Sequence, residues 1–339
     1  MSNVAVVGLG GMGLRHCEAI SQLEAMNVNL VSVCDIDIKR VKETSDKYGV
    51  EFGYTDWKEM ITTESIDLII IATNGDTHHD ITIFASENGV PRVLCEKPMT
   101  TSLDKAKNMI SVCKKNNTKL VVHHIRRWSE SYGRLKQMID DGVIGDIRQI
   151  TFEMGGGQMA SNGGHLFDLI RLLTDKEPTK VMGFIDKKGT PNPRGSNFYD
   201  PGGYGMVWFD DVRVYFDMSE DYGTPMLFKI LGSVGHIIVD EKAREWKIST
   251  RSDEDRNQPL TRRPNLIKIP FEGHGMMDMI DTCKESITDI LDNNVSCSGE
   301  DGMKSLMIPI GIHKSDESGN VMVNFPLDEE DSIKEYKFT

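Results

Sequence analysis

The turn Gly8-Leu9-Gly10-Gly11-Met12-Gly13 is the first place where this chain could do chemistry. A β-branched run, Val4 to Val7, leads into it, and a helical pattern leads out from Met12. In that setting Gly8 permits a tight turn. Gly10 lets the backbone approach a pyrophosphate, and Gly13 lets the helix pack on the strand. The phosphate charge then sits at the helix N-terminus. Asp35 ends the second apolar run, close to the spacing of about 20 residues at which an acid meets ribose hydroxyls. A 2′-phosphate would oppose that carboxylate, so NAD is expected rather than NADP.

Other side chains with chemical capacity follow. Thr73, Asn74 and His78 come after the fourth strand, at the carboxyl end of the expected sheet, where ligands of open α/β folds bind. His165 and Asp168 lie three apart, on one face of an expected helix, and an imidazole titrates near working pH. Arg126, Arg127 and Trp128 follow the last strand of the first half. The pairs His78-His79 and His123-His124 suggest a metal. Adjacent histidines on a strand point to opposite faces, however, and neither HxxxH nor HExxH occurs, so no metal is expected.

These residues need elements to hold them. Strand and helix patterns alternate up to about residue 124. Strands are expected at Leu30 to Val33, Leu68 to Ala72, Val93 to Cys95 and Leu120 to Val122. Helices are expected at Ile38 to Tyr48, His78 to Asn88 and Leu103 to Lys115. That alternation signals a doubly wound parallel sheet of Rossmann type. After one more helix, Arg134 to Asp140, longer strands such as Ile147 to Glu153, Lys180 to Ile185 and Met206 to Met218 are joined by loops and hairpin-like turns. They imply a large, mainly antiparallel open sheet in an α+β domain. Residues 252–264 read as an exposed loop, Met276 to Asn293 and Gly299 to Ser315 as helices, and Val321 to Phe325 as a last strand. The expected domains are 1–124 and 125–339.

A length of 339 residues allows two domains. The formal net charge of −13 argues against a nucleic-acid or anionic-membrane partner, since both need a basic face. No apolar run approaches the roughly 18 residues of a membrane span. Six cysteines without a CxxC read as buried reduced thiols. No leader precedes the first strand, so a cytoplasmic location is expected.

The glycine turn, Glu96-Lys97-Pro98, the stretch from Val122 to Trp128, Gly155 to Gly157 with Asn162-Gly-Gly-His165-Leu-Phe-Asp168, and Ser298 to Gly302 together resemble the glucose-fructose oxidoreductase/inositol dehydrogenase/MocA family. The likeness runs over nearly the whole chain. It implies an NAD-dependent oxidoreductase that moves a hydride to or from a secondary alcohol carbon of a sugar or cyclitol. It also implies a homodimer or homotetramer built on the C-terminal sheet. Glu96 and Lys97 would lie at the cofactor. Lys97 would be the active-site lysine and His165 the catalytic histidine, with Asp168 orienting it or meeting a substrate hydroxyl. Arg127, Trp128, Ser161, Asn162 and Tyr204 would contact substrate, with an interdomain salt bridge as the alternative for Arg127.

Two positions depart from the family pattern. Ser161 stands where many relatives carry Asp, so either His165 carries the proton alone or the reaction differs. Ile125 replaces a polar residue. Two other readings stay open: a redox-neutral sugar-modifying enzyme with tightly held NAD, and a non-catalytic NAD-binding sensor or subunit.

Overall fold

The computed structural model describes residues 1–187, 191–271, 273 and 278–338. It divides into two compact units. Unit 1 holds residues 1–128, 278–306 and 332–339, and unit 2 holds 129–277 and 307–331. A single boundary at 124/125 is therefore corrected. The chain returns twice to the first unit, because Cys283, Ile287 and Ile290 supply part of that unit's apolar core.

Unit 1 is built on β1 (Ser2–Val7), β2 (Val28–Cys34), β3 (Phe52–Tyr54), β4 (Leu68–Ile71), β5 (Arg92–Cys95) and β6 (Lys119–Val122). Their order is β3-β2-β1-β4-β5-β6, and every pairing is parallel. The order reverses between β1 and β4, which opens a crevice at their carboxyl ends. The helices are α1 (Gly11–Ser21), α2 (Ile38–Tyr48), α3 (Trp57–Thr63), α4 (Gly75–Glu87) and α5 (Leu103–Lys115). Local chemistry sets their ends. The Asp37 side chain accepts from the Lys39 N–H at 2.9 Å, and Gly49 closes α2 in the left-handed conformation. Leu68, Ile69, Ile70 and Ile71 are all fully buried, as a central strand covered on both faces requires. Each such side chain contributes roughly 1.5–3 kcal/mol.

Unit 2 contains α6 (Glu130–Asp140), β7 (Ile147–Glu153), a π-turn at Met159–Gly163 and α7 (Gly164–Thr174). Its further strands are β8 (Pro178–Ile185), β9 (Gly203–Phe209), β10 (Val212–Asp217), β11 (Leu227–Gly232), β12 (Gly235–Asp240), β13 (Glu245–Arg251), β14 (Leu266–Ile269) and β15 (Val323–Asn324). These nine strands form one sheet, antiparallel except where β7 meets β10. The stretch expected as one strand over Met206 to Met218 is a hairpin that turns at Asp210, whose φ is +53°. α8 (Met279–Leu291) belongs to unit 1, and α9 (Gly299–Glu317) starts there and ends in unit 2. α10 (Glu329–Ile333) comes last. Met276, the expected start of α8, lies outside the described residues. Among the described residues, no helix is long and apolar enough to cross a membrane. All six cysteines are buried free thiols.

Candidate active site

The glycine turn is built by close approach. Gly8 has φ +91°, and a Cβ there would lie 2.6 Å from the Ala72 carbonyl. A Cβ on Gly13 would lie 1.8 Å from the Gly8 carbonyl oxygen. By contrast, Gly10 and Gly11 face open space. The backbone is thus bare where a pyrophosphate would approach the N-terminus of α1. Beside it lies a cleft of about 250 Å³ lined by Gly8, Gly10, Asp35, Trp57, Thr73 and Asn74, among others. These features fit a dinucleotide.

Asp35 braces this cleft. One carboxylate oxygen accepts the Leu9 N–H at 2.7 Å, and the other accepts the Asp37 N–H at 2.9 Å. Each oxygen keeps a lone pair for a ribose hydroxyl. Arg40, which sequence reading missed, stands 3.8 Å from Asp35 at the edge of the same cleft.

His78, expected at the cofactor, instead lies fully inside unit 1. Its ring nitrogens approach the Pro98 carbonyl at 3.0 Å and the Thr73 carbonyl at 3.2 Å. It ties the loop after β4 to the loop after β5. Thr73 and Asn74 remain at the cleft.

Lys97 sits half-buried just past the end of β5, and the peptide joining it to Pro98 is cis. Glu96, expected with it at the cofactor, turns its carboxylate inward. One oxygen accepts from His16 Nε2 at 2.9 Å and from His123 Nδ1 at 2.7 Å. Cys283 Sγ lies 4.0 Å from His16 Nε2, so His16, His123 and Cys283 could be taken for metal ligands. The carboxylate can only accept, so both imidazoles donate toward it. The opposite nitrogens, His16 Nδ1 and His123 Nε2, have no hydrogen-bond partner. A metal-bound histidine normally donates its other N–H to an acceptor, so the cluster reads as a hydrogen-bonded triad.

Burial lowers the pKa of His16, with Glu96 pulling the other way. Burial likewise lowers that of His78 against the Pro98 and Thr73 carbonyls. Burial alone would raise Glu96, but the imidazoles of His123 and His16 outweigh it and hold the carboxyl well below its usual range. Below the ordinary histidine value of 6.5, the unfolded chain takes up protons that folded His16 and His78 refuse. Stability is therefore expected to fall as pH drops below that value. Each histidine contributes up to about 1.4 kcal/mol per pH unit. The contribution of Glu96 is intact above the ordinary carboxyl value of 4.5 and is lost progressively as pH falls from there through its own depressed value. Urea unfolding at pH about 7.5 and about 5.5 checks this, and equal stabilities would contradict it.

Arg127 and Trp128 are engaged by the chain of their own unit. The Arg127 guanidinium donates to the Ser296 carbonyl at 2.9 Å and pairs with Asp301 at 3.3 Å, all within unit 1. Trp128 Nε1 donates to Asp289 at 3.1 Å. Both fasten the chain after β6 to the α8–α9 segment.

In unit 2, His165 lies in the first turn of α7, after the π-turn that carries Ser161 and Asn162. Asp200 holds this turn. Its buried carboxylate accepts the Ala160 N–H at 2.8 Å and the Ser161 N–H at 2.9 Å. The Ser161 side chain is buried, and Asn162 is half-buried. Asp168 is fully buried and lies 3.5 Å from Arg171, which Glu177 grips at 2.8 and 2.9 Å. That position offers no surface to a substrate hydroxyl. Tyr204 lies on the sheet of the same unit. It is 46% exposed on β9, stacks on Phe184 at 4.9 Å, and lies on the sheet face opposite Val207 and Phe209.

A Rossmann sheet with a bare glycine turn and an acid just past β2 defines a dinucleotide-binding domain. Residues 2–124 match the family model described as "Oxidoreductase family, NAD-binding Rossmann fold". A myo-inositol 2-dehydrogenase of Thermotoga maritima is 25% identical over 75% of this chain and 79% of its own. A D-apiose dehydrogenase of Paraburkholderia graminis is 28% identical over 50% of this chain and 48% of its own, so the match spans about half of that relative. The crystal structure of a scyllo-inositol dehydrogenase from Lactobacillus casei, with bound NAD(H) and scyllo-inositol, shares the fold. Its TM-score is 0.75 at 19% identity, covering 96% of this chain and 99% of that one. Residues 2–124 are thus an NAD-binding Rossmann domain of the glucose-fructose oxidoreductase/inositol dehydrogenase/MocA oxidoreductase family.

Proposed function

We propose that this enzyme oxidises a ring secondary alcohol of a cyclitol or related sugar to the ketone, or runs the reverse reaction. The observation that carries the reading is Lys97, half-buried just past β5 and beside the loops that flank the bare glycine turn. Bound NAD would supply the hydride acceptor. Asp35 and the first turn of α1 would hold its adenosine and phosphate groups. Lys97 would polarise the reacting oxygen as an ammonium and relay its proton onward. His165 is assigned the second proton-handling role, and Asp200 fixes the backbone of the turn before it. Ser161 supplies no carboxylate, so the imidazole acts without one at that position. Nothing in the site favours the redox-neutral or the non-catalytic reading.

A homodimer or homotetramer through the open face of the nine-stranded sheet is part of this proposal. Tyr204 and Ile238 supply exposed apolar surface there.

The test is NADH formation against inositols, aldoses and sugar acids, with NAD and with NADP. Turnover with NAD on a cyclitol or sugar is expected, at least about tenfold better than with NADP because of Asp35. No turnover on any of these polyols, or equal use of both coenzymes, would overturn the assignment.

A further inference from the structure

The segment following α10 has no part in the chemistry above, yet two of its side chains are buried. Phe338 is fully buried and Tyr336 nearly so, and their rings stack at 5.1 Å. The Tyr336 N–H donates to the Thr101 carbonyl at 2.9 Å. Glu335 pairs with Lys105 at 2.8 Å and accepts from Thr101 Oγ1 at 3.5 Å. The Phe338 carbonyl oxygen lies 3.9 Å from where a Cβ on Gly75 would stand, and Pro98 lies 3.3 Å from the same point. Gly75, Pro98 and Phe338 therefore meet. Gly75 opens α4 directly after Thr73 and Asn74, and Pro98 directly follows Lys97. Neither loop is self-supporting: His78 joins them from within, through the Thr73 and Pro98 carbonyls.

The geometry points to residues 335–338 as the backing of the cofactor cleft, with Phe338 a positioning residue for Lys97. This rests on the reading of Lys97 as the proton-handling group. Removing the Phe338 ring takes away its stack on Tyr336 and loosens the segment whose backbone meets Gly75, so the Gly75 and Pro98 loops lose that backing and shift. A shift of an ångström at Lys97 is enough to cost turnover, because proton transfer depends steeply on alignment. Substrate affinity depends on it far less.

The experiment compares Phe338→Ala, Phe338→Leu and the core control Ile290→Ala on α8 in the full-length protein. Melting temperature, NADH affinity by fluorescence, and kcat, KM and the pH–rate profile on the best polyol are measured. Phe338→Ala is expected to lower kcat about tenfold or more, to move the pH–rate profile and to change KM less than about threefold. Phe338→Leu should recover most of that loss, to within about threefold of the parent. NADH affinity should weaken in the same order. Ile290→Ala should lower the melting temperature with kcat and NADH affinity kept. Phe338 variants that melt lower but match Ile290→Ala in kcat and NADH affinity would overturn the proposal. If Phe338→Ala fails to fold, the smaller truncation Phe338→Val takes its place, and an unchanged kcat and NADH affinity there overturns it. If the parent itself turns over no polyol, the functional reading fails separately. NADH affinity across the series then decides the role of the segment.

Discussion

Lys97→Met is expected to lower kcat by about a thousandfold or more while NADH binds as tightly as to the parent protein. Methionine keeps the length and the apolar stem of the lysine side chain and removes only the ammonium. The backbone at this position is held independently of that ammonium. Glu96, one residue earlier, is anchored by His16 and His123, and the Pro98 carbonyl is anchored by His78. The dinucleotide cradle at Gly8 to Gly13 and Asp35 uses none of these atoms. Loss of turnover with binding kept would therefore isolate proton handling from cofactor binding. General acid–base catalysis is worth roughly 10²–10⁴ in rate, and loss of oxyanion stabilisation adds to it. A fluorescence titration and a steady-state assay suffice. Retention of more than about a tenth of the activity would be too much for a catalytic lysine.

How much of this could be read from residues alone follows the range of the interactions. α2 and α5 have the expected limits, Ile38–Tyr48 and Leu103–Lys115, because Asp37 and Ser102 cap them locally. β4 was legible as a run of four buried aliphatics. β3 and α3 were not expected: three mostly exposed strand residues at a sheet edge carry too little pattern. β13 and β14 were missed as well. They flank the polar stretch 252–264, and the burial of β14 does not alternate. The two returns of the chain to unit 1 were invisible because periodicity reports that a helix buries a face, not what it buries it against.

The site divided along the same line. The glycine turn and Asp35 declare themselves within about 30 residues, and their roles are backbone roles. Arg127 and Trp128 were correctly seen as marking the end of the Rossmann strands. Their long side chains, however, turn toward Ser296, Asp301 and Asp289, more than 160 residues further along the chain. No local signal fixes that direction. His16, three residues past Gly13, and Asp200, inside an unremarkable loop, gain meaning only through distant partners. Glu96 is the instructive case. Its adjacency to Lys97 suggested a shared role, whereas its carboxylate is taken by His16 and His123, 80 and 27 residues away in the chain.

The second large effect separates two glycines that the sequence motif treats alike. Gly13→Ala places a methyl 1.8 Å from the Gly8 carbonyl oxygen, deep inside the turn. Backbone on both sides must move, because neither group is the end of a flexible side chain. Overpacking of this kind costs about 1–3 kcal/mol or more. The displaced Gly8 is the residue whose close contact with Ala72 sets the floor of the cleft. Both a lower melting temperature and loss of NADH binding are expected. Gly10→Ala meets nothing within 4 Å, so the protein should fold with its melting temperature within about 2 °C of the parent. Its methyl still projects into the space before the N-terminus of α1, where a pyrophosphate needs bare backbone N–H groups. NADH affinity should fall by about 10–100-fold, which is roughly 1.4–2.7 kcal/mol. Thermal melting with and without NADH reads both quantities in one titration series. Gly10→Ala binding NADH as the parent does would move the phosphates off this turn. Gly13→Ala as stable as Gly10→Ala would mean that the helix and the strand are not packed through that glycine.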